Sequence, residues 1–505
     1  MKIKITIVFV ALLILSGCKK YLDVQPKDLK LATTVKDYQD LLNGEGWGTL
    51  LSGAEFYWLD MMTDDVGEAL ATTTVPIESK LQYSHFYVWS NNPDFTYIEN
   101  GESGYNIKTW TWLYHIVNIS NIILEDLDNV KAQTENERLL LRSETLFSRA
   151  LAYYYILNIW GEPYDPSTAN SAKGVPLKTT PFPQVAGTGR SSVQQGYDLI
   201  LSDLNEAETI LADQGVPSSG SVFHVSKDAV EILLSRVYLY MQNWEKAKEY
   251  ADKAIATRPG LFDITTENLT TTAGTNFFNP RTNEVVFTYH KNDKTPFGTN
   301  YVFGAAATGS VYTVSSEMVG LYSAGLNSSS VDKRKNGFIQ VSSNRNFAKT
   351  MLQEGSSFAT PTTKLYDYDI RVAEAYLNRA EAQAQLGNTT QALSDINFLR
   401  SKRITGTPTV TITDQAQMIA FIYEERRREL FFQGHRWFDL RRTTRPSITH
   451  FYTPVNGTGS GATIGTQLKF ILLQNDPGYT VEIPFQEREL NTAITALALP
   501  ERLPQ

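Results

Sequence analysis

The stretch SKDAVEILLSRVYLYMQNWEKAKEYADKAIATRP, residues 226–259, decides the fold. Leu234, Ser235 and Tyr238 fall on one face of a first helix, and Ala247, Ala251 and Ala254 on one face of a second. Trp244 falls in the turn between them and Pro259 closes the unit. Small residues at these spacings let two antiparallel helices approach closely, which is the physical content of the tetratricopeptide pattern.

The pattern returns elsewhere. From Arg371 to Arg400, Ala380, Ala392, Ile396 and Leu399 take matching places and Gly387-Asn388 marks the turn. A helix from Glu144 to Trp160 has the same style of face through Ala150 and Tyr153. Its partner, Ser191 to Ala212, follows a proline-rich insertion. Further helices are expected over Lys108 to Val130, where Leu113, Val117, Ile123 and Leu127 keep helical spacing, and over Asp414 to Leu430. These units are not in tandem. The segment 261–363 is rich in Thr, Ser, Asn and Gly and offers one strand, Glu284 to His290. It keeps many aromatics, which disordered chains lack, and so reads as folded. The expected fold is therefore mainly α, a scaffold of tetratricopeptide-like hairpins with long irregular loop regions and a few short strands. The helices occupy about 108–160, 191–259 and 366–442, and the irregular regions about 44–107 and 261–363.

The chain begins with Lys2 and Lys4, then an apolar run from Ile5 to Leu15. That run is too short for a membrane-spanning helix, which takes roughly 20 residues, and reads as a signal-peptide core. Leu15-Ser16-Gly17-Cys18 looks like a bacterial lipobox, and Cys18 is the single cysteine of the chain. Residues 1–17 are expected to be removed and Cys18 acylated, with 18–27 as a tether and 28–505 as one domain. Attached acyl chains hold a protein at a membrane at about 0.8 kcal/mol per buried methylene. Cleavage would remove Lys2, Lys4 and no acid, taking the formal charge from −8 to −10. So acidic a chain argues against nucleic-acid binding, which needs a basic face.

At several points the chain resembles one family. Cys18-Lys19-Lys20-Tyr21-Leu22-Asp23 resembles the mature start of SusD/RagB lipoproteins. Trp110-Thr111-Trp112-Leu113-Tyr114, Trp160-Gly161-Glu162-Pro163 and Arg371-Val372-Ala373-Glu374-Ala375-Tyr376-Leu377 are similar to their helices and the loop between. The most specific match is ERRRELFFQGHRWFDLRR, residues 425–442. The extreme C-terminus, Thr495 to Gln505, follows no such pattern. The resemblance implies a cell-surface, outer-membrane protein that captures a glycan, or in the RagB branch a peptide. Such a protein passes its ligand to a SusC-like TonB-dependent transporter and has no catalysis or cofactor of its own. A helical-repeat scaffold that binds no nutrient is the reading from another class.

The arginines of residues 425–442 interleave with acids and are read as a structural helix end, pairing with Glu424, Glu425, Glu429 and Asp439. Asp64-Asp65 with Glu68, and Asp367 with Asp369, are the nearest approach to paired carboxylates, and neither lies in a hydrolase motif. The histidines are scattered, none at metal-ligand spacing, so no metal site is expected. Binding a sugar asks instead for an aromatic face beside polar partners for the hydroxyls. Trp112, Trp160, Trp437 and Trp244 are assigned to packing. Two loop clusters remain, Tyr83 to Tyr105 and Phe277 to Phe303, regions from which the resemblance also draws the ligand surface. The expected ligand contacts are Trp89, Tyr97 and Tyr301 by stacking and Asn92, Asp94 and Asn300 by hydrogen bonds.

Overall fold

A computed structural model describes residues 32–47, 56–68, 84–91, 108–182, 187–213, 221–269, 283–288, 291–292, 312–342, 345–348, 353–354, 364–366, 369–456 and 463–505. The main helices among them are α1 (Val35–Glu45), α2 (Thr109–Asp126), α3 (Glu135–Trp160), α4 (Val193–Asp213), α5 (Lys227–Tyr240) and α6 (Trp244–Thr257). They continue as α7 (Val372–Gln385), α8 (Thr389–Ser401), α9 (Gln415–Glu429) and α10 (Arg436–Arg442). α3–α4, α5–α6 and α7–α8 are the expected hairpins, and α2 packs on α3. The expectation of a mainly helical, tetratricopeptide-like scaffold holds.

The hairpin α5–α6 has the close approach that its small residues predict. Ser235 Oγ donates to the Ala247 carbonyl at 2.8 Å, and Ala247, Ala251 and Ala254 are buried. Tyr238 and Tyr250 stack at its side, 5.5 Å apart. Trp244 is the first residue of α6 rather than a turn residue, because the Asn243 side chain accepts from Lys246 N and starts the helix one residue earlier. α3 starts at Glu135, well before Glu144. The Thr134 hydroxyl caps it by accepting from Glu137 N, and Glu135 and Glu137 sit favourably at the positive end of the helix dipole. α1 was not expected from apolar spacing, yet Thr34 and Asp37 form a full capping box at its start.

The hairpins are separated in sequence but consecutive in space, since α6 packs against α7. The intervening chain is pinched at its base by Val285–Thr288, which pairs antiparallel with Asp369–Arg371. The expected strand over Glu284 to His290 is thereby located at its centre. Beyond it, Ser316–Leu321 and Lys333–Phe338 form short helices that carry no periodic apolar signal.

The string at residues 425–442 builds the centre of the molecule. Glu429 receives Arg334 Nη1 at 3.1 Å, Arg371 Nη1 at 3.0 Å and Arg403 Nη2 at 3.0 Å, every partner at 1% exposure or less. Glu284 receives Arg371 and Arg403, and Glu425 receives Arg334, Arg400 and Arg428. Burial alone would raise the two glutamates, but the guanidiniums overcome it and hold Glu425 and Glu429 at about 2. Arg426 pairs with Asp439, Arg442 with Glu381 and Asp439, and Arg236 with Glu374. The arginines of the string pair with Glu424, Glu425 and Asp439 as expected, but not with Glu429, whose partners Arg334, Arg371 and Arg403 all lie outside it; they also recruit acids from elements far along the chain, such as Asp65 and Glu381.

Candidate functional site

Four separate pieces of chain meet beside this core. Val66–Glu68 pairs antiparallel with Tyr312–Val314, matching Val66 to Val314 and Glu68 to Tyr312. Ser315 secures the pairing by donating its N–H to the Asp65 carbonyl and its hydroxyl to the Asp64 carbonyl, both at 2.8 Å. The strand Ile448–Tyr452 supplies His450, whose ring is sandwiched between Tyr87 at 4.1 Å and Trp89 at 4.3 Å. Strand alternation that turns His450 inward turns Phe451 outward, and Phe451 is 47% exposed.

The sandwich is fixed at its edges. His450 Nδ1 lies 2.6 Å from the Tyr87 carbonyl and Nε2 3.0 Å from the Thr63 carbonyl. Burial pushes His450 down to about 4, against two carbonyls that favour an N–H on each side. Tyr87 also touches Tyr312, with ring centroids 4.8 Å apart. Glu68 closes the junction by accepting from Thr453 N at 2.9 Å and Thr453 Oγ1 at 2.7 Å.

The junction is bolted to the core by arginines. Arg427 reaches Asp65 at 2.6 Å, and Arg436 grips both oxygens of Asp64 at 2.8 and 2.6 Å. Burial would raise Asp64, but Arg436 and Arg427 bring it below the usual carboxylate range. Asp60, buried beside Asp65, is pushed well above that range. Asp64, Asp65 and Glu68, the nearest approach to paired carboxylates in the sequence, thus have structural partners here. Among the described residues no group of three or more His, Cys, Asp or Glu side chains is placed to hold a metal ion, and no helix is long and apolar enough to cross a membrane.

The expected ligand residues fare unequally. Trp89 is 3% exposed, and its indole N–H donates to the Met62 carbonyl at 2.9 Å. It is a core residue, not a surface platform; the loop reading missed that its stacking partner, His450, arrives from the far end of the chain. Asn92, Asp94, Tyr97, Asn300 and Tyr301 lie outside the described residues. Trp112, Trp160 and Trp437 are buried as expected, and Trp244 packs half-buried against the core. His450 and Tyr312, which organise the junction, were not singled out as site residues. Their only sequence signal is apolar alternation in two short strands.

The comparisons agree with this architecture. Residues 20–239 match a family model described as SusD-like, "Starch-binding associating with outer membrane", and residues 280–462 match the SusD family model. The chain is 25% identical to a SusD-like protein of Formosa agariphila, over 89% of this chain and 92% of that one. It is 25% identical to the starch-binding protein SusD of Bacteroides thetaiotaomicron over 34% of this chain and 29% of that one. A solved SusD superfamily protein of Bacteroides thetaiotaomicron superposes with a TM-score of 0.68 at 20% identity, covering 92% of this chain and 99% of that one. A putative sugar binding protein of Bacteroides vulgatus also superposes with a TM-score of 0.68 at 20% identity, covering 93% and 99%. The chain belongs to the SusD/RagB family, whose members are outer-membrane-associated, starch- and sugar-binding proteins.

Proposed function

We propose that this protein captures an oligo- or polysaccharide at the cell surface and passes it to a SusC-like TonB-dependent transporter, held at the outer membrane by acyl chains on Cys18 and without catalysis of its own. The observation that carries this reading is the contact of Tyr87 with Tyr312 at 4.8 Å. In sequence, the stretch 92–107 follows Tyr87 and Trp89, and the stretch 293–311 precedes Tyr312. Asn92, Asp94 and Tyr97 therefore follow one side of a single junction, and Asn300 and Tyr301 precede the other. In this reading Tyr97 and Tyr301 stack on sugar rings, the two asparagines and Asp94 bind hydroxyls, and Trp89 holds the junction from within.

Native affinity electrophoresis of the purified protein through a panel of polysaccharides tests the binding. Retardation by one glycan class, abolished in Tyr97→Ala and Tyr301→Ala proteins that melt as the parent does, is the expected result. No retardation across the panel moves the ligand to a peptide. Purification from detergent-solubilised membrane tests the partner, and a large barrel protein should accompany the chain.

A further inference from the structure

A cleft of about 690 Å³ opens where the turn after α3, the end of α10, residues 475–480 and Leu497–Leu499 come together. That volume lies within the roughly 300–1,000 Å³ of small-molecule sites. None of Tyr87, Trp89, Tyr312 or His450 lines it.

Its electrostatics are lopsided. The acids of the lining are already engaged: Asp165 accepts from the N–H and hydroxyl of Ser167, Asp476 is held by both terminal nitrogens of Arg502, and Glu162 accepts from Lys173 N. The cations are engaged unequally. Arg441 is buried and spends its donors on the carbonyls of Tyr479, Asn158 and Gly161, with no carboxylate at ion-pair distance among the described residues, and Arg445 acts on Asp165 only through its charge. Burial pushes it down to about 10, with Arg445 adding to the effect. Arg445, half-buried, and Lys173, exposed, both line the cleft and neither has an ion pair among the described residues. The neighbouring Arg442 differs, since Glu381 and Asp439 neutralise it.

The backbone is strained at the same place. Of the five described non-glycine residues with positive φ, three line this cleft: Gln242 at 58°, Arg445 at 41° and Asn475 at 57°. Left-handed conformations are costly for Gln242 and Arg445, less so for Asn475, and gather at functional sites. Asn475 N donates to the Arg445 carbonyl at 2.9 Å, which locks two of them together. Around the cations stand the half-buried Tyr164 ring, the flat faces of Pro163 and Pro477, and the hydroxyls of Thr168, Ser171 and Thr443. Flat apolar faces beside hydroxyl groups suit a sugar ring, and spare guanidinium charge suits an anion.

We infer that this cleft binds an acidic sugar, a saccharide bearing a carboxylate or sulfate group, with the anion on Arg445 and Lys173 and the ring against Tyr164. The inference does not depend on the loop junction being the glycan surface. Calorimetry on the purified full chain would use glucuronate, galacturonate and galactose 6-sulfate as probes, with glucose and inorganic sulfate as controls. At least one acidic sugar should bind, more weakly as salt rises, while glucose does not. The carboxylate and sulfate probes distinguish the two anion types. Arg445→Asn, which tolerates the positive φ, and Lys173→Ala, on the surface, should each weaken binding about tenfold, the loss of roughly one charged contact. Lys36→Ala, on the exposed face of α1, should leave it unchanged. Binding by none of the three probes, equal binding by glucose or bare sulfate, indifference to both cleft variants, or the same loss in Lys36→Ala would each overturn the proposal.

Discussion

Arg427 Nε lies 2.6 Å from Asp65 Oδ1, a charged contact between residues 362 positions apart in the chain. Arg427 also holds Glu317 at 2.6 Å and the Asp64 carbonyl at 3.2 Å, so one guanidinium positions both sides of the junction. Removing one partner of a buried ion pair strands the other, at about 3–5 kcal/mol. Arg427→Ala should lose about this much in urea denaturation, and it should weaken glycan retardation without touching the ligand.

Glu429 is the hub of the central cluster, facing Arg334, Arg371 and Arg403. Glu429→Gln keeps the shape and removes the charge that three guanidiniums share. A loss of about 3–5 kcal/mol is expected from the same physics. Replacing Glu284 and Glu429 together with Arg371 and Arg403 by apolar residues of similar volume leaves Arg334 on Asp332 and Glu425 and should cost less than Glu429→Gln alone, which denaturation of the multiple variant would check.

Acid should unfold the protein in two stages. His435 is buried among Arg236, Arg426, Arg371 and Arg442; burial first and these charges next hold it well below its ordinary 6.5. The unfolded chain takes up that proton and the folded one refuses it, so stability falls as pH drops below about 6.5. His450, depressed to about 4, adds to the same slope. His224, raised by its hydrogen bond to Glu144, acts oppositely, stabilising at low pH and losing that contribution as pH rises through its folded value. Glu425 and Glu429, held at about 2, contribute stability above about 4.5 that is lost as pH falls from there towards 2. Urea midpoints across pH 3 to 7 should fall less steeply between about 6.5 and 4.5 in His435→Asn, where His450 keeps part of the slope, and keep the steeper fall below about 4.5.

His450→Ala empties the space between Tyr87 and Trp89. A cavity of this kind costs about 2–4 kcal/mol. The near-ultraviolet circular dichroism of Trp89 should change, and glycan affinity should fall, because Tyr87 no longer holds its place against Tyr312. Unchanged affinity in a folded His450→Ala protein would separate the sandwich from the ligand surface.

Ala247 is fully buried in the α5–α6 seam, where its carbonyl receives the Ser235 hydroxyl at 2.8 Å. Ala247→Leu should destabilise by about 1–3 kcal/mol through overpacking, read as a lower melting temperature with binding retained at low temperature.

The helical frame was legible because small-residue spacing in the α5–α6 and α7–α8 stretches is local information. The cap of α3 was not read: apolar faces alone place its start at Glu144 and pass over Thr134, whose hydroxyl accepts from Glu137 N. The resemblance of residues 425–442 located the centre of the protein, but not its chemistry: nothing near Arg371 or Arg403 announces that both meet Glu284. Trp89 was misjudged for a related reason. A tryptophan in a loop is buried or exposed according to what covers it, and its cover, His450, is set by a distant strand. The charge pattern of the cleft was hidden as well, since Arg441 and Arg442 look alike in sequence and differ only in which acids reach them.

The pairing of early residues with late ones has a consequence during synthesis. Asp64 and Asp65 wait for Arg427 and Arg436, and Trp89 for His450. A nascent chain that has passed Pro259 can form its first hairpins, yet Asp64, Asp65 and Trp89 lack these partners until translation nears its end. Products ending before Arg426 would carry two uncompensated aspartates, Asp64 and Asp65, and a Trp89 without His450, and proteases would find them there. The sequence string that identifies the family thus also acts as a completion check on each copy made.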